Sequence, residues 1–590
     1  MLYSIARAAG FLALVCPTIL SAALPSEPLA PTVPWKSDGI YQHNKGRDYG
    51  CSHGRKSRNC WSDGFNVETD MDEKWPDTGK MVTYNFDITN TTMAPDGFER
   101  QMMVVNGQYP GPTIEAEWGD TIVVNVKNSL TNNGTGIHWH GLRQLRSCQM
   151  DGTNGITECP IAPGQTKTYT FKATQYGSSW YHSHYSVQYG DGIVGGIIIR
   201  GPATENYDID LGILPFTDWW HVPIFTVNAA ALHAGGPPTA DNLLVNGSMT
   251  SGSGGKYAVT TLTPGKKHLL RLVNQGINNN VHVSLDGHPF TVIAADFIPI
   301  IPFTANSLNL AVGQRYDVIV NANQTVGNYW LRVGTGGGKC DGPNANAANI
   351  KSIFRYEGST SGNPNSTGIT LPTGCYDETN IVPYVKTTVP RNLPQELKLS
   401  FSQTAATNNL VQWHINASAI QIDFKTPTLQ YVIDGNDSFP TTDNIYVVGE
   451  AHKWQYWVIQ SDNSTPPLPH PIHLHGHDFY ILDYAQGAQW AGDTSRLITD
   501  NPIRRDTATL PANGYLVLAF ESDNPGAWLM HCHIPFHVSA GLGFQFLERQ
   551  REILGSIGDL GGFKDGCKSW KAYERNVEGG FIIGDSGLRL

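Results

Sequence analysis

Apolar and polar residues alternate with a period of two through much of the chain, as in Tyr169-Thr170-Phe171 and Tyr316-Asp317-Val318-Ile319-Val320. That period puts successive side chains on opposite faces of an extended strand, so strands are expected rather than helices. One pattern recurs three times: a Gly turn, an alternating strand, then an aromatic pair or a Trp opening another strand. The first copy runs from Pro163-Gly164 to Ser179-Trp180-Tyr181, the second from Val312-Gly313 to Tyr329-Trp330-Leu331, and the third from Asn513-Gly514 to Ala527-Trp528-Leu529. A repeat every roughly 150–200 residues matches β-sandwich domains of ordinary size. The expected fold class is all-β, with three Greek-key β-sandwich domains in one chain. Turn-rich stretches near 205 and from Gly358 to Gly374 set the domains at 49–205, 206–375 and 376–556, followed by a tail at 557–590.

Composition agrees with many short strands. Of 590 residues only 15% are charged, while Gly (62) and Pro (36) are plentiful. A net charge of -11 excludes a nucleic-acid partner, which needs a basic face. The N-terminus has the form of a secretory signal at 1–23: Arg7 supplies the positive charge, residues 8–20 are largely apolar, and Ser21-Ala22-Ala23 offers small residues for cleavage. Residues 24–48 begin Pro-rich and unpatterned and read as a leader or propeptide. No later segment has the roughly 18 continuous apolar residues of a membrane helix, so no membrane is expected. Eight Asn-x-Ser/Thr sites, at Asn90, Asn133, Asn246, Asn323, Asn365, Asn416, Asn436 and Asn463, fit a secreted, extracellular glycoprotein.

Nine cysteines divide unequally. Cys16 lies in the signal, and Cys532 sits between two histidines. Cys51 and Cys60 are close enough to close a small loop, and Cys340 with Cys375 can pin the Gly/Asn/Ser-rich stretch between them. Cys148, Cys159 and Cys567 compete for one further bridge.

The chemistry lies in four histidine pairs: His138-Trp139-His140, His182-Ser183-His184, His473-Leu474-His475 and His531-Cys532-His533. On a strand, residues two apart share a face, so each pair presents two imidazoles together. Two pairs belong to the first domain and two to the third, and they are expected to converge where those domains meet. Eight imidazoles with no carboxylate inside the motifs suit about three copper ions. Cys532 points to the opposite face, where it can meet His470 and His537 as the two-His, one-Cys set of a blue-copper site. Its counterparts in the first domain are Ser183, Thr135 and Gln188, so this set exists once. Leu542, ten residues after Cys532, takes the axial place. It cannot coordinate, and a higher potential than with a ligating Met follows. In the second domain Leu331-Arg332-Val333-Gly334 offers no ligand, which makes that domain a spacer able to wall a substrate pocket. His477 falls out of step with the pairs and is read as a supporting residue behind the ligands. His43, His53, His221, His233, His268, His282, His288, His414 and His452 read as surface or hydrogen-bonded core residues. Structural zinc would need four closed ligands per site, which this pattern does not give.

At these motifs the sequence closely resembles ascomycete laccases of the multicopper oxidase family. The likeness runs from Cys51 to Leu588 and includes Pro110-Gly111-Pro112-Thr113-Ile114, His470-Pro471-Ile472-His473-Leu474-His475-Gly476-His477 and His531-Cys532-His533-Ile534-Pro535-Phe536-His537. It implies cupredoxin-like domains and four copper ions: one type-1, one type-2 and two type-3. It implies one-electron oxidation of phenols and aromatic amines, coupled to four-electron reduction of dioxygen to water at a trinuclear cluster. Carried onto matching positions, His138 and His473 hold the type-2 copper. His140, His182 and His533 hold one type-3 copper, and His184, His475 and His531 the other. His470, Cys532 and His537 hold the type-1 copper with Leu542 axial, and the donor meets the edge of His470 or His537, with His537 favoured.

Asp151 and Asp506 resemble the family's proton-supplying carboxylates. Asp585-Ser586-Gly587-Leu588 resembles a terminal plug of the solvent channel, here followed by Arg589-Leu590. The family pattern pairs Cys159 with Cys567 and leaves Cys148 free. One departure stands out: the acid that accepts a phenol's proton in the pocket is replaced by Asn278. The partners implied are small aromatic donors and dioxygen, acting on a monomer. Ascorbate oxidase or ferroxidase activity would favour a ligating Met or iron-binding carboxylates near the type-1 site. A non-catalytic copper-binding relative would have lost ligands that this chain keeps.

Overall fold

The alternating segments fold as strands whose apolar faces turn inward. Thr166–Lys172 buries Tyr169 and Phe171 and turns Thr168 outward. The strand Arg315–Asn321 is instead buried on both faces up to its last residue. Tyr316, Val318 and Val320 fill the core of their own sandwich. Arg315 and Asp317 on the other face reach across to Ser178 of the first sandwich. Alternation there separates a sandwich core from a contact between sandwiches, rather than core from water.

This computed structural model describes residues 52–576 apart from 338, 339, 341 and 463. The signal at 1–23, the leader at 24–48, Cys51 and the Asp585-Ser586-Gly587-Leu588 plug lie outside the described residues.

The strands form three successive sandwiches. The first packs a four-stranded sheet containing Met81–Met93 and Thr121–Asn128 against another containing Gly177–Ser183 and Val194–Arg200. The second and third each combine a six-stranded with a five-stranded sheet, and their strand orders correspond one to one. In each sandwich the repeated unit crosses between sheets. Thr166–Lys172 and Gly177–Ser183 lie in different sheets, as do Arg315–Asn321 and Asn328–Thr335, and Tyr515–Glu521 and Gly526–Cys532. Consecutive strands that change sheet are the signature of Greek-key sandwiches, and the all-β, cupredoxin-like architecture follows. No helix among the described residues is long and apolar enough to cross a membrane.

Strand register carries the histidine pairs together. Ile137–Trp139 pairs with Gly177–Ser183 so that His138 stands opposite His182. His470–Leu474 pairs with Gly526–Cys532 so that His473 stands opposite His531 and Ile472 opposite Cys532. In the second sandwich the equivalent pairing sets Val283 opposite Val333. Valine there stands where the third sandwich has its cysteine.

The C-terminal helix Gly561–Asn576 is fastened to the first sandwich. Cys567 is bonded to Cys159 with the Cα atoms 4.9 Å apart, and fully buried Trp570 packs against Tyr185 and Phe424. Cys340 is bonded to Cys375, Cys60 is also in a disulfide, and Cys148 is a buried free thiol. Because the Cys159–Cys567 bridge closes 408 residues of chain, its loss should release much denatured-state entropy. Cys567→Ser is expected to lower stability by about 2–5 kcal/mol and to open the terminal helix to protease first. An unchanged denaturation midpoint and an unchanged cleavage pattern would contradict this role.

Candidate metal centre

All four histidine pairs meet in one buried volume. The ring centroids of His138 and His475 lie 3.9 Å apart, as do those of His140 and His473. Four rings lie close to main-chain carbonyl oxygens, which can only accept. Nδ1 of His138 is 2.9 Å from the Asp151 carbonyl, that of His182 3.0 Å from Ser183, that of His473 2.8 Å from Asp506, and that of His531 2.9 Å from Cys532. Nδ1 of His475 donates to Asp151 Oδ2 at 2.9 Å. Each of these rings therefore carries its hydrogen on Nδ1 and leaves Nε2 as a bare lone pair.

Those lone pairs have no protein partner. Nε2 of His138, His182 and His473 is buried without a hydrogen bond. Nε2 of His475 faces Nε2 of His531 at 3.2 Å, although both rings hold their hydrogen at the other nitrogen. His140 is turned the other way: its Nε2 donates to Asp506 Oδ1 at 3.2 Å, and its Nδ1 faces His533 Nε2 at 3.1 Å. Two acceptors at the 3.2 Å of the His475–His531 pair repel unless a cation lies between or beside them. Burial, and repulsion from the neighbouring rings, hold His140, His182, His184, His475, His531 and His533 well below the usual imidazole range, so they stay neutral. Neutral imidazoles with converging lone pairs fit a soft-to-borderline transition metal such as copper. His184, His475 and His531 bring ligand atoms within 4.8 Å of one another, as do His138, His140 and His182.

Carboxylates support the rings from outside. Burial would raise the Asp506 carboxyl, but Arg315 beside it and its bonds to His140 and His473 hold it well below its usual range. Arg315 Nη1 donates to Asp506 Oδ1 at 2.7 Å. Arg505, also fully buried, pairs with Asp296 at 3.1 Å. No carboxylate occurs inside the histidine motifs, yet Asp506 reaches within ligand distance of His140 and His473. The linear spacing gave no sign of that. Gly313 of the second sandwich closes the volume at φ +91°, where a Cβ would come 3.1 Å from His140 Cε1 and 3.2 Å from His533 Cδ2.

Cys532 points to the other face of its strand. Its Sγ lies 3.4 Å from His537 Nδ1 and 3.7 Å from His470 Nδ1, and the two Nδ1 atoms are 3.1 Å apart. Burial pushes the thiol up and His537 down to about 3, an environment that resists charge unless a metal supplies it. The buried Leu542 brackets the site with its main chain: its carbonyl accepts from Cys532 N, and its N–H donates to His537 O. In the first sandwich the corresponding residues close on one another instead. Thr135 and Ser183 both donate to Gln188 Oε1, at 2.8 and 2.6 Å.

His537 is 8% exposed and His470 fully buried, so of the two rings only His537 can be touched from outside. It lines a cavity of about 270 Å³ with Leu232, Pro238, Asn278, Phe401, Trp413 and Phe536. The second domain walls this cavity through 231–238 and Asn278. His477 faces away from the imidazoles, 2.8 Å from Glu548 Oε2 and 3.7 Å from Asp523. Arg315, Asp296 and Gly313 escaped sequence reasoning because they belong to a domain without ligands and act across chain separations that leave no local motif.

Models of the multicopper oxidase family match residues 87–204, 210–359 and 388–552. The chain is 52% identical to Laccase-3 of Botryotinia fuckeliana over 454 residues, which is 74% of this chain and all of that protein. It is 46% identical to a laccase of Neurospora crassa over 90% of this chain and 88% of the other. The crystal structure of the laccase from Botrytis aclada superimposes with a TM-score of 0.85 at 41% identity, covering 91% of this chain and all of that one. Motif register, converging lone pairs and these likenesses agree: the chain belongs to the multicopper oxidase family and is a laccase-type enzyme.

Proposed function

We propose that this enzyme takes single electrons from small aromatic donors at the His470–Cys532–His537 set and passes them to dioxygen at the eight-imidazole set. The observation that carries this reading is the tripeptide His531-Cys532-His533, whose thiol faces one set and whose two imidazoles face the other. We assign the type-1 copper to His470, Cys532 and His537, which would hold it beside the non-coordinating Leu542. The type-2 copper goes to His138 and His473. The type-3 pair goes to His140, His182 and His533, and to His184, His475 and His531. When bound, copper supplies one-electron acceptance at the first set and four-electron reduction of dioxygen at the second.

The chain's own residues do the rest. His537 offers its outer edge to a donor held between Trp413, Phe401 and Phe536, and apolar walls exclude water from that contact. Four donors each lose one electron, and one dioxygen takes up those electrons with four protons to give two waters. Asp151 Oδ2 and Asp506 Oδ1 lie against the imidazoles and are assigned the proton supply. Arg315 holds Asp506 in place and favours its ionised form at rest, so that it takes up each proton before passing it on. The described residues lining the cavity at His537 include no carboxylate, which leaves a ferrous ion without a charged oxygen ligand there. We read the chain as a secreted monomer of three domains divided at 205/206 and 375/376.

Oxygen uptake with a simple phenol tests this reading, and substitution of Asn278 tests the part that residue plays. The copper-loaded protein should be blue and consume oxygen with the phenol and with ferrocyanide, an outer-sphere donor that releases no proton. Asn278→Asp supplies a proton acceptor and should raise phenol turnover by about an order of magnitude, leaving ferrocyanide turnover as it was. An equal change with both donors would contradict a proton-accepting role at that position. Leu542→Met places a thioether at the axial position and should lower the type-1 potential in a redox titration. A potential that stays or rises would place Leu542 away from the metal.

A further inference from the structure

The strand Ile209–Trp219 carries, at its penultimate residue, a carboxylate that the reaction above does not use. Asp218 is buried, and three consecutive main-chain amides converge on it. Ile277 N–H donates to Oδ1 at 2.6 Å, and Asn278 and Asn279 N–H donate to Oδ2 at 2.7 and 2.6 Å. Successive amides wrapped around one anion form a nest, in which oriented backbone dipoles take the place of a cation. Burial raises this carboxyl to about 6, and the three amides oppose that rise.

The segment so held is the one that reaches the donor cavity. Asn278 lines that cavity together with His537, yet its own side-chain Nδ2 is buried without a hydrogen-bond partner. Its amide group therefore does little to fix where it stands, and its main chain must do so. The flanking residues are fastened independently: Gly276 N–H donates to Asn274 Oδ1 at 3.0 Å, and Asn344 Nδ2 donates to Asn279 Oδ1 at 2.9 Å. Between these two pins Asn274 Nδ2 donates to the Asn279 carbonyl at 2.9 Å, and among the described residues Asp218 alone accepts from the N–H groups of 277–279. The fit is close on the loop side as well, since a Cβ at Gly276 would come 2.9 Å from Asn274 Oδ1 and 3.0 Å from Asp218 Oδ1.

We propose that Asp218 is a positioning residue for the donor, fixing the main chain of 277–279 and thereby the wall that Asn278 presents beside His537. The proposal rests on the reading of that cavity as the donor site. Asp218→Asn keeps the size of the side chain but turns an NH₂ group toward amides that can only donate, so the nest loses an acceptor. Gly276→Ala disturbs the same nest from the loop side and leaves the carboxylate intact.

Three quantities decide the matter in the copper-loaded protein: KM and kcat for a bulky phenol, the same constants for ferrocyanide, and the Kd of a non-oxidisable aromatic such as benzaldehyde by calorimetry. Both variants are expected to raise phenol KM and benzaldehyde Kd about tenfold. Their kcat, ferrocyanide constants, blue absorbance and copper content should match the parent. Phenol KM and benzaldehyde Kd that stay within twofold of the parent would overturn the proposal, as would an equal loss with both donors. Should Asp218→Asn fail to accumulate as blue protein, Gly276→Ala decides by the same criteria. A parent that binds benzaldehyde but oxidises neither donor would contradict the oxidase reading, and the Kd comparison would still decide the role of Asp218.

Discussion

Everything in this molecule is arranged around imidazole lone pairs that have been buried together. A neutral ring out of water needs partners for both nitrogens. Here one nitrogen of most rings is satisfied by the main chain or a carboxylate, and the other points at its fellows. The close approach of His475 to His531 is unfavourable in the protein alone and favourable around a cation. The fold must therefore oppose that repulsion until metal binds. It does so with strand pairing at the first histidine of each pair, and with single main-chain hydrogen bonds just past the strand ends at His140, His184, His475 and His533.

The domain without ligands has a larger part in this than a spacer would. Gly313 lies against two of the rings, where even a methyl group would crowd them. Arg315, two residues on, neutralises the carboxylate that holds His140. The same domain forms one wall of the cavity at His537. A single sandwich thus touches both ends of the proposed electron path while contributing to none of the clustered ligand groups found among the described residues. Its valines at 283 and 333 stand where the third sandwich has Ile472 and Cys532, so apolar packing replaces coordination at the same point of the fold. The first sandwich replaces it differently, with the hydrogen-bonded trio Thr135, Ser183 and Gln188.

Much of this is legible in the sequence because the strand period is short. Histidines two apart share a face wherever the chain is extended, and a cysteine between two of them must then face away. From His531-Cys532-His533 alone, two sites and their connection follow. The repeated Gly-to-Trp units likewise declare three sandwiches. The sequence is silent wherever the decisive partner is distant and belongs to no pattern. Arg315 and Asp506 are separated by 191 residues, and Asp218 lies 59 to 61 residues from the amides it collects. The same short period already sets His477 apart from the ligand pairs. That residue continues a histidine run, but past Gly476, at φ +71°, its ring turns to Glu548 and Asp523.

In the proposed arrangement Cys532 serves the His470–Cys532–His537 set alone, and the eight imidazoles hold their copper without it. Counting copper per chain in the parent and in Cys532→Ser tests it most directly, with the visible spectrum recorded on the same samples. The variant is expected to lose the blue absorbance and one copper in four, and to keep the remainder on the eight imidazoles. Loss of all the copper, or retention of the blue absorbance, would contradict it.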